Sequence, residues 1–411
     1  MKKKIIVAIA DGLGDRPIQE LGNLSPLQYA NTPHLDQLAS EGRTGLMDPI
    51  HPGITVGTDM GHTILFGHSS SQYPGRGPIE AAGVGLILEA GDIAFRCNFA
   101  TVNDEGIVVD RRAGRIRQRT DELAQAINGY RIEDVEFLFK EATEHRAVLV
   151  MRGQDLSANI SDSDPKAPND GSPYKKVRAL DSSPQAKRTA ELLNRFLVEI
   201  NQVLINHPVN IERQAKGLLP ANFILTRGSG MMTEISHLGK DLGFTCAVVA
   251  GEDTVLGMAH LSGYDLFRDP SFTGNIDTNI ELKARYALKA IRNHDLVYVH
   301  LKATDVMGHD NNPKGKVRAI EKFDKLLKLI MDDLPQNTLV ALCADHSTPC
   351  EKGEHSGEPV PILIHGPGIF SDPVSSYDEV ACSQGGLGRL TGHEFIWSLL
   401  DYLEVIPKQG N

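Results

Sequence analysis

Three apolar runs in this chain each end at residues that carry chemistry. Ile5-Ile6-Val7-Ala8-Ile9-Ala10 stops at Asp11-Gly12, and Leu296-Val297-Tyr298-Val299-His300-Leu301 leads to Asp305 and His309. Leu339-Val340-Ala341-Leu342-Cys343-Ala344 stops at Asp345-His346, with His355 nine residues further on. Continuous apolar runs of this length, without polar alternation, predict strands buried on both faces of a parallel sheet.

Around these runs the pattern predicts further elements. A helix is expected near residues 32–39, with Thr32 as N-cap and Pro33 in the first turn. Residues 92–109 read as β-rich, 119–127 and 185–206 as helices, and 135–140, 147–151 and 245–250 as strands. Residues 223–230 read as a strand entering a Gly turn. Residues 161–183, dense in Ser, Asp, Pro and Lys, form the one long irregular stretch and have the character of a lid or connector. From residue 281 strand and helix alternate again: helix 281–292, strand 296–301, helix 316–332, strands 339–344 and 360–365, helix 392–403. The expectation is an α/β fold. Residues 1–75 and 272–411 would form a doubly wound, mostly parallel sheet core, with an α+β lid domain inserted at 76–271.

Composition narrows the function. A chain of 411 residues exceeds one ordinary core, which agrees with two domains. A net charge of −11 argues against nonspecific binding to nucleic acid or an anionic membrane. Five scattered cysteines with no CxxC spacing disfavour a disulfide framework or zinc ribbon and point to a reducing compartment. Met1-Lys2-Lys3-Lys4 is basic, but the apolar run behind it is short and ends at an acid, so it reads as a strand, not a signal peptide. No run approaches the ~20 apolar residues that span a bilayer. The expected location is the cytoplasm.

Ligands of open α/β sheets bind outside the carboxyl ends of the strands. That edge should collect Asp11, Asp305, His309, Asp345, His346 and His355. Asp305 and His309, four apart, share one face of a helical turn. Alone they would read as an N-cap and a surface histidine, but the whole set predicts a two-metal site for hard or borderline divalent ions. Arg96, Arg111, Arg112, Arg115, Arg152 and Arg227 offer planar forks suited to phosphate and carboxylate, whereas Arg117 and Arg119 read as a solvated face. Gly12-Leu13-Gly14 lacks both GxGxxG spacing and a Walker lysine, which excludes dinucleotide and ATP loops. His62, His68 and His300 read as core or outer-sphere histidines.

Several stretches carry a more specific resemblance. They are Ala10-Asp11-Gly12-Leu13-Gly14-Asp15-Arg16-Pro17, Gly75-Arg76-Gly77-Pro78-Ile79-Glu80-Ala81 and Phe95-Arg96-Cys97-Asn98-Phe99-Ala100. Asp110-Arg111-Arg112-Ala113-Gly114-Arg115, Lys302-Ala303-Thr304-Asp305 with Gly308-His309-Asp310, and Asp345-His346-Ser347-Thr348-Pro349 complete the set. Together they make the chain resemble the alkaline phosphatase superfamily and, within it, the archaeal-type cofactor-independent (2,3-bisphosphoglycerate-independent) phosphoglycerate mutases. The resemblance implies one cation on Asp305, His309 and His355, and another on Asp11, Asp345, His346 and the nucleophile's oxygen. Mn²⁺ is the first candidate, with Zn²⁺, Co²⁺ and Mg²⁺ as alternatives.

The resemblance also implies roles for other residues. Lys302 would face the substrate, a small phosphorylated metabolite. Arg96, Arg111, Arg115, Arg152, Asp164 and Arg227 would bind it, and Asp110 would touch a hydroxyl or serve in acid–base chemistry. One position departs from the pattern. The family places a serine nucleophile in a Gly-Ser-Asp segment, and here the segment is Gly57-Thr58-Asp59. Thr58 offers the same hydroxyl with an added methyl. Two reactions therefore stand open: interconversion of 3- and 2-phosphoglycerate through phospho-Thr58, or phosphohydrolysis or phosphotransfer on another phosphorylated or phosphonate metabolite.

Overall fold

The computed structural model describes residues 3–166 and 169–410. The start of the basic run, Met1-Lys2, and two positions of the irregular stretch, Ala167-Pro168, lie outside these residues. The chain forms two compact units, Met1–Tyr73 with Ile235–Asn411, and Pro74–Glu234.

The first unit opens with β1 (Lys4–Ala10) and β2 (Arg43–Asp48). The second contributes β3 (Ile93–Val102), β4 (Val108–Asp110), β5 (Tyr130–Ile132), β6 (Val135–Glu141), β7 (Arg146–Arg152) and β8 (Phe223–Met231). The chain then returns to the first unit with β9 (Cys246–Val249), β10 (Asp265–Phe267) and β11 (Leu296–Leu301). It ends with β12 (Thr338–Cys343), β13 (Val360–His365) and β14 (Gly388–Thr391).

The core sheet has the order β10-β9-β11-β1-β12-β13-β2-β14, and only β13 runs against the rest. This is the mostly parallel α/β core that the apolar runs predict. β11 and β12 are buried at every position and β1 at all but its first, which accounts for their unbroken apolar sequence. Because β1 sits between β11 and β12 in parallel register, the carboxyl ends of these three strands lie side by side.

The second unit is built on antiparallel pairs in the order β4-β3-β7-β6-β5, with β8 also paired to β3. Its helix Pro184–Ile205 buries Leu193, Phe196, Leu197 and Ile200, and Phe196 stacks on Phe137 of β6. The described part of residues 161–183 holds no helix or strand, as its composition predicts. β8 runs through Gly228 and Gly230 to Met231 where a turn was expected, and the irregularity appears as a register slip against β3.

The boundary of the insertion differs from the sequence expectation. The return falls at residues 234–235, not near 271, because β9 pairs in parallel with β11, and β10 in parallel with β9. The four residues Cys246–Val249 are all buried, and a strand so short gives too little pattern to be placed beside β11 from sequence. Among the described residues no helix is long and apolar enough to cross a membrane.

Candidate metal centre

Asp11 follows β1 directly, and Asp345 and His346 follow β12 after Ala344. Helix Ala303–His309 starts two residues after β11 and presents Asp305 and His309 one turn apart. A backbone bridge between Ser347 and Ser356 folds the next loop back and returns His355 to the cluster. The backbone turns away from β1 at Gly12, whose φ is +61° and where a Cβ would press on Asp305 and Thr348. All six residues expected from sequence therefore meet at one sheet edge. Donor atoms of Asp11, Asp345 and His346 lie within 4.8 Å of one another, as do those of Asp305, His346 and His355.

The hydrogen bonds fix what each ring presents. Thr348 Oγ1 donates to Asp305 Oδ1 (2.6 Å), so it accepts from His346 Nδ1 (3.1 Å). The lone pair of His346 Nε2 then faces Asp345 Oδ2 at 3.2 Å and Asp11 Oδ1 at 3.5 Å. Burial lowers the His346 pKa to about 4, which keeps the ring neutral. His309 Nδ1 donates to the Gly353 carbonyl and His355 Nδ1 to that of Val56. Their Nε2 atoms stand 3.1 Å apart, and 3.4 and 3.5 Å from Asp305 Oδ1. Each half of the cluster is thus an array of acceptors facing acceptors, with the other imidazole nitrogen tied off, which is how metal-binding histidines are set.

The electrostatics agree. Burial raises the Asp11 pKa well above the carboxylate range, and the neighbouring Asp345 charge adds to it. Asp345 Oδ2 is buried without a hydrogen-bond partner. Lys302 places one cation against Asp11, and at Asp345 burial is outweighed by His346 and His62, which hold its carboxyl low; the donor set as a whole fits two divalent ions. Around them, His300 Nε2 donates to Asp11 Oδ2 (2.8 Å), Gly12 N to Asp345 Oδ1 (3.1 Å), and Thr304 Oγ1 to the Asp11 carbonyl. His62 donates to the Thr58 carbonyl (2.9 Å).

Thr58 is the first residue of helix Thr58–Leu65 and half-buried. Its Oγ1 accepts from Lys302 Nζ (3.0 Å) and lies 3.3 Å from His346 Nε2. Lys302 Nζ also binds Asp11 Oδ1 (3.0 Å) and Asp305 Oδ2 (2.7 Å). Burial works against its charge, but Asp11 and Asp305 outweigh this and hold it firmly protonated.

In the second unit the predicted arginines separate. Arg96 and Arg227, with Arg76, Lys166, Asp162 and Gly228, line a cavity of about 350 Å³. Burial lowers Arg96 to about 10, opposed by Glu80 and reinforced by Arg76 and Arg227. Arg111 forms a bidentate pair with buried Asp164, both contacts 2.7 Å, and Arg227 feels both charges. Arg115 is exposed at a left-handed backbone position. Arg152 is engaged by Asp92, Glu89 and the Ile87 carbonyl and does not line the cavity. Asp110 accepts from the Arg112 amide (2.6 Å). Sequence reasoning overlooked Arg76, Lys166 and Thr348 as site residues. Arg76 and Thr348 stand inside the quoted motifs, but Lys166 lies in the irregular stretch and gave no signal.

Comparison with known proteins places this chain. The family model for 2,3-bisphosphoglycerate-independent phosphoglycerate mutase matches residues 39–210. A relative of that description from Methanopyrus kandleri is 45% identical over 100% of this chain and 99% of its own. Another, from Pyrococcus abyssi, is 42% identical over 100% of both. A solved protein from Pyrococcus horikoshii superposes with a TM-score of 0.86 at 35% identity, covering 100% of both chains. The cofactor-independent phosphoglycerate mutase from Thermoplasma acidophilum gives 0.73 at 36% identity, covering 98% of this chain and 100% of its own. This chain belongs to the 2,3-bisphosphoglycerate-independent phosphoglycerate mutase family.

Proposed function

We propose that the enzyme interconverts 3-phosphoglycerate and 2-phosphoglycerate through a phosphorylated Thr58, with two divalent cations in the centre. The observation that carries this reading is the position of Thr58 Oγ1 at a helix start, 3.0 Å from Lys302 Nζ and beside the acceptor arrays. Asp305, His309 and His355 would hold one cation, and Asp11, Asp345, His346 and Thr58 Oγ1 the other, with Mn²⁺ as the expected metal. When bound, these ions acidify the hydroxyl and neutralise charge on the phosphoryl oxygens.

The chain's own groups do the rest. Thr58 Oγ1 gives up its proton and forms a bond to phosphorus as the bond between phosphorus and the substrate's C3 oxygen breaks; the C3 oxygen takes up a proton and leaves as a hydroxyl. Lys302, held protonated, donates to a phosphoryl oxygen. The glycerate turns, and its C2 oxygen takes the phosphoryl group back, freeing Thr58. Arg96, Arg227 and Arg76 suit the substrate's carboxylate, since four cations, including Lys166, stand against Asp162 and Glu80 around that cavity. Arg111 and Asp164 brace its surroundings. Water must stay away from phospho-Thr58, or transfer becomes hydrolysis. The buried free thiols agree with a cytoplasmic enzyme.

The methyl of Thr58 favours a second reading, in which a metal-dependent phosphohydrolase or phosphotransferase acts on a different small phosphorylated or phosphonate metabolite. A ³¹P NMR spectrum of 3-phosphoglycerate with enzyme and Mn²⁺ separates the two. A growing 2-phosphoglycerate resonance is expected. Inorganic phosphate alone would support the second reading, and an unchanged spectrum with metal bound would sink the mutase assignment.

A further inference from the structure

Next to the loops of the candidate metal centre lies an ion pair that the reaction above does not use. Lys316, on helix Pro313–Asp332, and Asp15, in the loop after β1, have side chains fully withdrawn from solvent. Lys316 Nζ donates to Asp15 Oδ2 (2.9 Å), the Gly14 carbonyl (3.2 Å) and the Thr348 carbonyl (2.9 Å). Three acceptors satisfy the three protons of an ammonium. The Asp15 carboxylate also accepts from Arg16 N (2.8 Å) and Cys350 N (3.1 Å), and Thr348 N donates to the Gly14 carbonyl (3.1 Å). One ammonium thus staples the loop after β1 to the loop after β12.

Thr348 carries this clamp to the centre. Its carbonyl is held by Lys316, while its hydroxyl donates to Asp305 Oδ1 and accepts from His346 Nδ1. Asp305 belongs to one half of the acceptor array, and His346 lies within reach of both. A buried ion pair is a poor source of net stability, since apolar residues of similar volume often do as well or better, so its presence here calls for another use. We propose that Lys316, acting with Asp15 through Thr348, is a positioning residue that sets the centre's affinity for divalent cations by fixing the Asp305 carboxylate and the His346 ring. This rests on the two-metal reading above.

The test is a Co²⁺ titration of the full chain, followed by calorimetry and by the visible absorption of bound Co²⁺, with thermal unfolding measured alongside. Lys316→Met strands the Asp15 charge and should fold less stably. The double variant Asp15→Asn/Lys316→Met removes that charge and should regain most of the stability. Both should bind Co²⁺ about tenfold or more weakly, with a changed absorption band. Affinity and band like those of wild type in either variant would overturn the proposal, because a purely structural pair would alter unfolding alone. Should neither variant fold, Thr348→Val cuts the link at the hydroxyl. It should weaken binding similarly, and unchanged affinity there is equally decisive against the proposal. Wild-type protein that binds no divalent ion would instead refute the two-metal reading itself.

Discussion

Thr58 carries one methyl more than a serine, and β-branching restricts its χ1. That stiffness suits a hydroxyl that must stay between Lys302 and His346. Thr58→Ala should lower kcat on the order of 10⁶-fold, the scale seen when a covalent nucleophile is lost, and should abolish the phosphoenzyme detected by mass spectrometry. Near-normal turnover in this variant would rule out the covalent route.

A second residue contributes to acid sensitivity. Burial lowers His68 to about 4, and His237 adds to the effect. Ser262 Oγ donates to the Met258 carbonyl, so it accepts from His68 Nε2 (2.8 Å), and the ring is neutral when folded. In the unfolded chain the imidazole protonates near pH 6.5. Between about pH 6.5 and 4 the unfolded state therefore binds a proton that the folded state does not. Stability falls as pH drops through that window, and this contribution is flat above it. His68→Gln should lose less stability than wild type between pH 7 and 5 in urea titrations, and equal losses would contradict the assignment.

At the scale of elements, close approach of backbones decides what each position tolerates. Helix Arg76–Gly83 packs on β3 so tightly that a Cβ at Gly77 would overlap the Ala94 carbonyl. Backbone cannot step aside as a side-chain tip can. Gly77→Ala should destabilise the inserted unit by about 1–3 kcal/mol, read from the denaturant midpoint, whereas an unchanged midpoint would show that the helix stands further off. The same logic of short connections explains why the candidate metal ligands gather. Asp11, Asp305 and Asp345 each follow a strand within a few residues, so parallel register carries them to one edge.

For the whole molecule, the acceptor arrays belong entirely to the unit made from both chain ends, while Pro74–Glu234 has its own hydrophobic core. Calorimetry should resolve two transitions. Added Mn²⁺ should raise the one that belongs to the metal centre, by about 2.7 kcal/mol at a hundredfold excess over Kd, and chelation should reverse it. A metal-dependent shift confined to the inserted unit would place the site elsewhere.

The amino-acid order alone determined the strands that matter and what stands at their ends. The strands predicted at 296–301 and 360–365 match β11 and β13 residue for residue. The six acceptors were legible because a fully buried strand leaves an unmistakable apolar run, and chemistry at its carboxyl end needs no long-range knowledge. Tertiary structure alone decided which arginines share a cavity and which, like Arg152, are taken up by neighbouring acids. It also decided that residues 235–271 rejoin the core, and that Lys316 meets Asp15 across 301 positions of sequence. Burial pattern is a local property of the chain, whereas pairing of charges and of short strands depends on what folding brings near, and no period in the sequence records that.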